Sequence, residues 1–492
     1  MHSISKKTDH LNLDERSISI FRIFLGISIL YSLIIIKFPY TIEFWGKDRL
    51  IPIEIMQAMN GKDAFSIFDY IQNDSFAYFW MISSIILSIL YTLGIQTRIV
   101  SVLLLFFFFN ILQAYARYNN GFDKYTFQML TWSCFLPLNN YFSLQKIINR
   151  KKVNQLISFI IIIQICFIYF STGIVKYGDA WKQGYAVKIL ASEMWYPGKF
   201  ASFFTNNEFL YTILTYATLF FEITFPIFIL VNYKNNILRY VGIIFLLGFH
   251  ISIFFISDVG NFSITGVAVA LLLLPNSFWK KINIKLKESS ERIFSKSTQY
   301  IFIVCTAFVL YTFVQKNLLF ISNTYHLYDR NSSAINRFLQ KIDVPQIAEN
   351  SFQFQYWKMF APNPASRCGW LSIEYEGDDG LFYDLFTNNI ISRTEHKVSF
   401  IPKRQERYLL SYARMFKLQD IYYSRVFLKY WFFRQLEKRN IPKSDYHRYY
   451  LAEYRAEFSK NSTIMNPIEK ELYTYKAIEN LDISLPKKKK CT

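Results

Sequence analysis

Residues 156–181 read LISFIIIIQICFIYFSTGIVKYGDAW. The stretch Leu156–Val175 contains no charged side chain, and a helix needs about 20 apolar residues to cross a bilayer. Lys176 follows directly where this apolar run ends. The sequence therefore predicts a membrane-spanning helix with a lysine at its end, which we place at the outer boundary of the membrane.

Further apolar runs along the chain reach or approach the length that a bilayer requires. Together with Leu156–Val175 they make nine predicted spans, of which Tyr125–Leu138 and Phe262–Leu274 are short. The sequence thus predicts a polytopic α-helical membrane protein of about nine spans. The other six spans are Ile18–Ile36, Phe76–Ile95, Ile99–Tyr118, Phe209–Val231, Leu238–Ile256 and Tyr300–Phe320.

The composition agrees with a membrane protein. Hydrophobic residues make up 52% of the 492 residues and charged residues 18%, whereas an ordinary soluble domain carries about 25% charged residues. Such a composition excludes intrinsic disorder and a disulfide-rich scaffold. The formal net charge of +19 could also indicate a nucleic-acid partner. Because the basic clusters are short loops beside the spans, we expect the lipid bilayer as a partner and no nucleic acid.

The distribution of Lys and Arg predicts the orientation, because these residues are enriched on the cytoplasmic side. With the N-terminus inside, the inner segments hold 16 of them and the outer loops hold 10. The densest inner clusters are residues 146–152 and 279–287. We therefore predict a multi-pass protein of the cell inner (plasma) membrane. Its parts are a cytoplasmic N-terminus at 1–16, a transmembrane domain at 17–320 and a periplasmic or extracellular domain at 321–492.

The last 172 residues alternate polar and apolar side chains, and none of their runs could span a bilayer. Leu371–Glu376 and Leu381–Phe386 flank Gly377-Asp378-Asp379-Gly380, which is a hairpin signal. The pattern thus predicts a small α+β extramembrane domain, and it leaves open whether Cys368 and Cys491 pair. Two further helices and a strand are predicted at Arg404–Phe416, Asp420–Arg439 and Tyr449–Phe458.

Five ionisable side chains fall within the predicted spans or at their ends. A charged group at the bilayer centre costs about 2.5–3.5 kcal/mol or more, so each is a candidate functional residue. The alternative is an ion pair that holds helices together. Glu222 and His250 are mid-span, where they could pair with each other or with Lys176 in an outward-facing cavity. The five residues are Arg22, Asp123, Lys176, Glu222 and His250.

Five motifs follow one another along the spans: Phe21-Arg22, Asn120-Gly121-Phe122-Asp123, Gly173–Trp181, Glu222 and Phe249-His250. In this order they resemble the HTTM (horizontally transferred transmembrane) domain, which is shared with vitamin K-dependent gamma-carboxylase. The resemblance covers about Leu13–Lys281. Downstream, Phe354–Pro364 and Gly369-Trp370 resemble the extramembrane region that follows this domain in many bacterial members.

The resemblance implies an enzyme fold with its site on the outer side of the membrane. In the carboxylase, a Lys in the segment like Gly173–Trp181 is the proposed base that deprotonates vitamin K hydroquinone. Lys176 matches that base, and His250 and Asp123 would assist it, with no metal implied. The implied cofactors are a vitamin K-like quinol, CO2 and O2, and the implied substrate is a secreted protein or peptide bound by the C-terminal domain. The supporting residues would be Glu222, Arg22, Arg117, Asn120 and Trp181.

The chain also departs from the carboxylase. Val175 stands where the carboxylase has a second Lys, and Phe122-Asp123 stands where it has Asn-His. The long carboxylase region that binds substrate propeptides is not recognisable. The alternative function is therefore a non-enzymatic maturation, export or immunity factor for a secreted peptide. A transporter ranks last, because transporters often carry internal repeats and this sequence shows none.

Overall fold

A computed structural model gives the fold of most of the predicted membrane part and of part of the C-terminal region. The residues that the structure describes are mostly helical, and near the C-terminus they include a small antiparallel sheet. They are 11–60, 65–115, 119–145, 150, 152–192, 198–232, 236–284, 307, 359–364, 367–391, 422–457 and 469–481.

The helices up to residue 284 form a bundle. The first of them continues through a π-helical turn at Ser32–Lys37 and a 3-10 turn at Phe38–Tyr40, and another 3-10 turn lies at Ile67–Asp69. In chain order the helices are α1 Glu15–Tyr31, α2 Thr41–Trp45, α3 Ile53–Asn60, α4 Asp74–Leu93, α5 Thr97–Gln113, α6 Gly121–Ser133, α7 Gln155–Ile174, α8 Asp179–Lys182, α9 Ala186–Ser192, α10 Ala201–Thr205, α11 Glu208–Leu230, α12 Ile237–Ile256, α13 Phe262–Leu272 and α14 Asn276–Lys281.

Within the described residues, helices lie at eight of the nine predicted spans; of the ninth, Tyr300–Phe320, only residue 307 is described. The prediction of nine spans is not confirmed. Helix α6 is short because Pro137, which cannot continue a helix, follows closely after its end. In the described part of the chain, five helices are long and apolar enough to cross a membrane: Glu15–Trp45, Asp74–Leu93, Gln155–Ile174, Glu208–Leu230 and Ile237–Ile256.

Asparagine side chains begin three of the long helices. Asn73, Asn154 and Asn207 accept hydrogen bonds from the first free backbone N–H groups of α4, α7 and α11, respectively. Such a cap stabilises a helix start by about 1 kcal/mol. Gly94 ends α4 with a φ of 80°, a left-handed conformation that glycine adopts without strain. These local signals set the ends of the spans within a few residues of the predicted ones.

Helix α7 lies in the interior of the bundle, while α11 and α12 lie on its periphery. In α7, 72% of the most apolar stretch is buried, against 28% in each of α11 and α12. The face of α11 and α12 that is turned away from the bundle carries exposed residues such as Phe220, Ile227 and Ile244. A bilayer would cover this apolar surface. The interior position of α7 brings the residues at its C-terminal end into the core.

The C-terminal region forms a sheet with the strand order β3-β2-β1-β4-β5, in which neighbouring strands are antiparallel. The predicted hairpin is confirmed, since β1 pairs with β2 around Gly377–Gly380. The predicted strand at Tyr449–Phe458 and helix at Asp420–Arg439 are confirmed, and Arg404–Phe416 lies outside the described residues. The elements are β1 Arg367–Glu376, β2 Phe382–Asp384, β3 Ile390–Ile391, α15 Tyr422–Lys438, β4 Tyr449–Glu457, β5 Glu469–Thr474 and α16 Tyr475–Glu479.

Helix α15 contacts the bundle beside α2. Lys438 Nζ lies 2.5 Å from a carboxylate oxygen of Glu43, and Arg434 donates a hydrogen bond of 3.0 Å to the carbonyl oxygen of Asp48. Both contacts are with the segment that follows α1. The sheet region therefore lies at the end of the bundle where α1 ends.

Candidate active site

A cavity of about 380 Å³ lies between α7, α11 and α12. Helix α7 contributes one wall through Ile168 and Thr172, and α12 contributes the opposite wall through Ile253 and Ser252. The lining is mainly apolar and rich in rings. Its aromatic residues include Tyr125, Tyr169, Phe221, Phe249 and Phe262.

The cavity wall contains a buried ion pair. Lys176 donates hydrogen bonds to both carboxylate oxygens of Glu222, and each side chain is 2% exposed. A Cβ on Gly173 would lie 2.9 Å from the Glu222 Cβ, so glycine allows α7 to approach α11 closely here. Of the alternatives left open by the sequence, Glu222 thus pairs with Lys176.

Lys176 lies deeper in the bundle than its position in the sequence predicted. Glu222 is well inside α11, and Lys176 is level with it. The reason is that α7 ends at Ile174 and the chain after it stays packed beside α11. The backbone N–H of Val187 donates a hydrogen bond of 3.1 Å to the Thr215 hydroxyl.

Trp181 covers the ion pair. The Lys176 ammonium lies 5.0 Å from the centroid of the Trp181 ring, which is 1% exposed. A cation over an aromatic face is stabilised by about 0.5–2 kcal/mol, more when water is excluded. The Trp181 indole N–H donates a hydrogen bond of 2.8 Å to the carbonyl oxygen of Phe360, and Met359 and Phe360 complete this side of the cavity.

His250 lies behind the cavity wall. Its Nε2 is 2.8 Å from the Tyr169 hydroxyl, which is 3.1 Å from the Tyr125 hydroxyl. Both tyrosines line the cavity, whereas His250 is fully buried. A Cβ on Gly266 would overlap the imidazole, so this glycine makes room for His250. His250 is therefore connected to the cavity through Tyr169 and not through Lys176 or Glu222.

A family model matches the part of the chain that contains Lys176, Glu222 and His250. The model described as the HTTM domain matches residues 11–279, more than half of the chain. The chain belongs to the HTTM domain family. The resemblance over Leu13–Lys281 is thereby confirmed, and with the apolar helices it indicates a membrane protein related to vitamin K-dependent carboxylases. Neither a curated protein nor a solved structure matches the chain.

Asp123 is in a different part of the HTTM domain from Lys176. It lies 2.5 Å from Lys37 Nζ, and its other carboxylate oxygen accepts a hydrogen bond of 3.3 Å from the backbone N–H of Asn120 at the start of α6. Asp123 and Asn120 are not among the described residues that line the cavity. Asp123 thus contacts Lys37 and Asn120, and its assistance to Lys176 and the supporting role of Asn120 stay predictions.

Arg22 is also separate from the cavity. Its guanidinium donates hydrogen bonds to the carbonyl oxygens of Leu138 and Phe142, so it ties α1 to the segment that follows α6. Arg117 lies outside the described residues. Of the predicted site residues, the HTTM domain thus brings three to the cavity and places His250 directly behind it. The three are Lys176, Glu222 and Trp181.

Several residues at the cavity were not predicted. Tyr125 and Tyr169 are hydroxyl-bearing residues inside predicted spans, and that position was the available signal for them. Away from the cavity, Lys37, the partner of Asp123, was not singled out either, although it directly follows the span Ile18–Ile36. Met359 was within the recognised motif Phe354–Pro364, but its approach to the HTTM domain depends on long-range packing. Among the described residues, no group of three or more His, Cys, Asp or Glu could hold a metal ion.

Proposed function

We propose that the protein is an integral-membrane enzyme in which the Lys176–Glu222 pair accepts a proton from a quinol-type substrate in the cavity. With O2 and CO2, this chemistry would modify a secreted protein or peptide held by the C-terminal domain. The proposal places the protein in the cell inner membrane, with the C-terminal domain outside. The observation that carries it is a buried lysine–carboxylate pair in the wall of an otherwise apolar, aromatic cavity.

The cavity suits an apolar ring with a polar edge. Its volume of about 380 Å³ falls within the range of about 300–1,000 Å³ that is usual for small-molecule sites. Phe221, Phe249 and Phe262 offer faces to a flat ring, while Lys176 and the tyrosine hydroxyls offer polar contacts. A bound quinol would supply an acidic hydroxyl and the electrons for a reaction with O2. These residues would bind and orient such a ring.

The ion pair is suited to accept one proton. Lys176 and Glu222 together are neutral, so one added proton, wherever it resides on the pair, leaves a single positive charge beside the new anion. In a cavity that excludes water, these opposite charges attract strongly. The Trp181 ring, which lies beside the Lys176 ammonium, also stabilises its positive charge. General base catalysis of this kind contributes about 10²–10⁴-fold to a rate.

The position of the opening favours a substrate from the lipid phase. Ile244, Phe245 and Gly248 line the cavity on α12 and are exposed. They belong to the apolar outer surface of the bundle, where lipid would contact the protein. A hydrophobic quinol could therefore reach Lys176 without crossing water.

The test is oxidation of vitamin K1 hydroquinone by the full-length protein in lipid nanodiscs, followed by absorbance and O2 consumption. We expect Lys176→Met to lower the initial rate about 10²–10⁴-fold, because the pair that accepts the proton is lost. Lys182→Met is the matched control, since Lys182 is an exposed lysine at the end of the following helix α8, and we expect wild-type rates. Equal rates for Lys176→Met and the wild type, or no turnover by the wild type, would contradict the proposal.

A further inference from the structure

A short segment of the C-terminal region, Met359–Pro364, reaches the site. It forms three hydrogen bonds with the loop after α7, from which it is about 180 residues distant in sequence. The Gly178 N–H donates to the Pro362 carbonyl oxygen at 3.0 Å, and the Ala180 N–H donates to Asn363 Oδ1 at 2.9 Å. The third is the bond from the Trp181 indole to Phe360. The HTTM domain match ends at residue 279, so this segment lies outside it.

Gly178 shows that the loop and the segment fit closely. Its φ of −74° and ψ of 168° are ordinary extended values, so the backbone does not require glycine there. The available space does require glycine, because a Cβ on Gly178 would overlap the side chain of Asn363. Glycine at this position therefore leaves the room that Asn363 needs to reach the Ala180 N–H.

These contacts connect the segment with Lys176 through Trp181. Asn363 fixes the backbone at Ala180, and the next residue is Trp181, whose indole is held by Phe360. The Trp181 ring lies 5.0 Å from the Lys176 ammonium. The segment thus holds the loop at both the backbone and the indole, and Phe360 itself lines the cavity.

We propose that Met359–Pro364 completes the active site and that Asn363 is a positioning residue, which holds Trp181 over Lys176. The inference rests on the proposed function, because it assigns a role in proton acceptance at that same site. The extramembrane region is then a part of the catalytic unit. Without it, the HTTM domain alone has an open, incompletely ordered site. Small displacements of groups that position a reaction can cost about 10²-fold in rate.

The first test measures hydrogen–deuterium exchange in the full-length protein in nanodiscs. In Asn363→Ala we expect faster exchange of the Gly178–Lys182 amides and unchanged exchange in α7. Asn389→Ala, which changes an exposed asparagine of the same region, should leave both unchanged. This measurement does not depend on any activity. Unchanged exchange at Gly178–Lys182 in Asn363→Ala would overturn the inference even if the proposed function holds.

The second test measures oxidation of vitamin K1 hydroquinone by the same variants. We expect Asn363→Ala to lower kcat about 10- to 100-fold with KM unchanged, because the cavity remains but Trp181 is no longer held. Asn363→Asp keeps the acceptor oxygen and should recover most of kcat. Normal kcat in Asn363→Ala despite faster exchange would refute the positioning role, whereas no turnover by the wild type would instead refute the proposed function.

A double variant checks the contact from the other side. Gly178→Ala should lower kcat because its methyl group displaces Asn363. In an Asn363→Ala background that overlap is removed, so Gly178→Ala should add little further loss. Fully additive losses in the double variant would show that the two residues do not act through their contact.

Discussion

Two buried lysine–acid pairs among the described residues of the bundle, Lys176–Glu222 and Lys37–Asp123, differ in their surroundings. Lys176–Glu222 lies in the wall of the cavity with the Trp181 ring beside it, whereas Lys37 and Asp123 are not among the described residues that line this cavity. Lys37 also donates to the Ser32 hydroxyl at 3.1 Å. Both pairs look alike in the sequence, as charges at span boundaries or within spans. Burial of an ion pair therefore does not identify a site, and the decisive difference is access to a cavity.

The comparison predicts equal roles in stability for the two pairs. Asp123→Ala leaves Lys37 buried without its partner, and Glu222→Ala does the same to Lys176. We expect each variant to lose about 3–5 kcal/mol in the free energy of unfolding, because an uncompensated charge remains buried. Denaturant titration in bicelles measures this loss. A loss below about 1 kcal/mol for one pair would mean that its members are solvated.

A smaller effect is expected at the glycines that border the site. Gly266→Ala forces a methyl group against the His250 ring, and such overpacking costs about 1–3 kcal/mol. Gly248→Ala is the matched control, because nothing lies within 4 Å of its added Cβ. Alanine should stabilise that helix by up to about 1 kcal/mol. Equal shifts for both variants in the same denaturant titration would show that His250 is not packed against α13.

The sequence predicted the positions of most helices, because uninterrupted apolar runs with capping residues define spans locally. It also singled out Lys176 and Glu222, because charges are rare in such runs. It could not predict which acid pairs with Lys176 or Lys37, since that choice depends on how α7, α11 and α6 pack. The approach of Asn363 to Gly178 is likewise a long-range contact that no local pattern encodes.

We propose that Lys176–Glu222 is the reactive pair and Lys37–Asp123 a structural one. The most direct test replaces each pair by neutral side chains of similar size, Lys176→Met with Glu222→Gln and Lys37→Met with Asp123→Asn. Removing both partners leaves no unpaired charge, so both double variants should fold with near wild-type stability.

The measurement is the initial rate of vitamin K1 hydroquinone oxidation by the two double variants in nanodiscs. We predict a loss of about 10²–10⁴-fold for the variant at Lys176–Glu222 and a rate close to wild type for the variant at Lys37–Asp123. Equal rates for the two folded double variants would contradict the account.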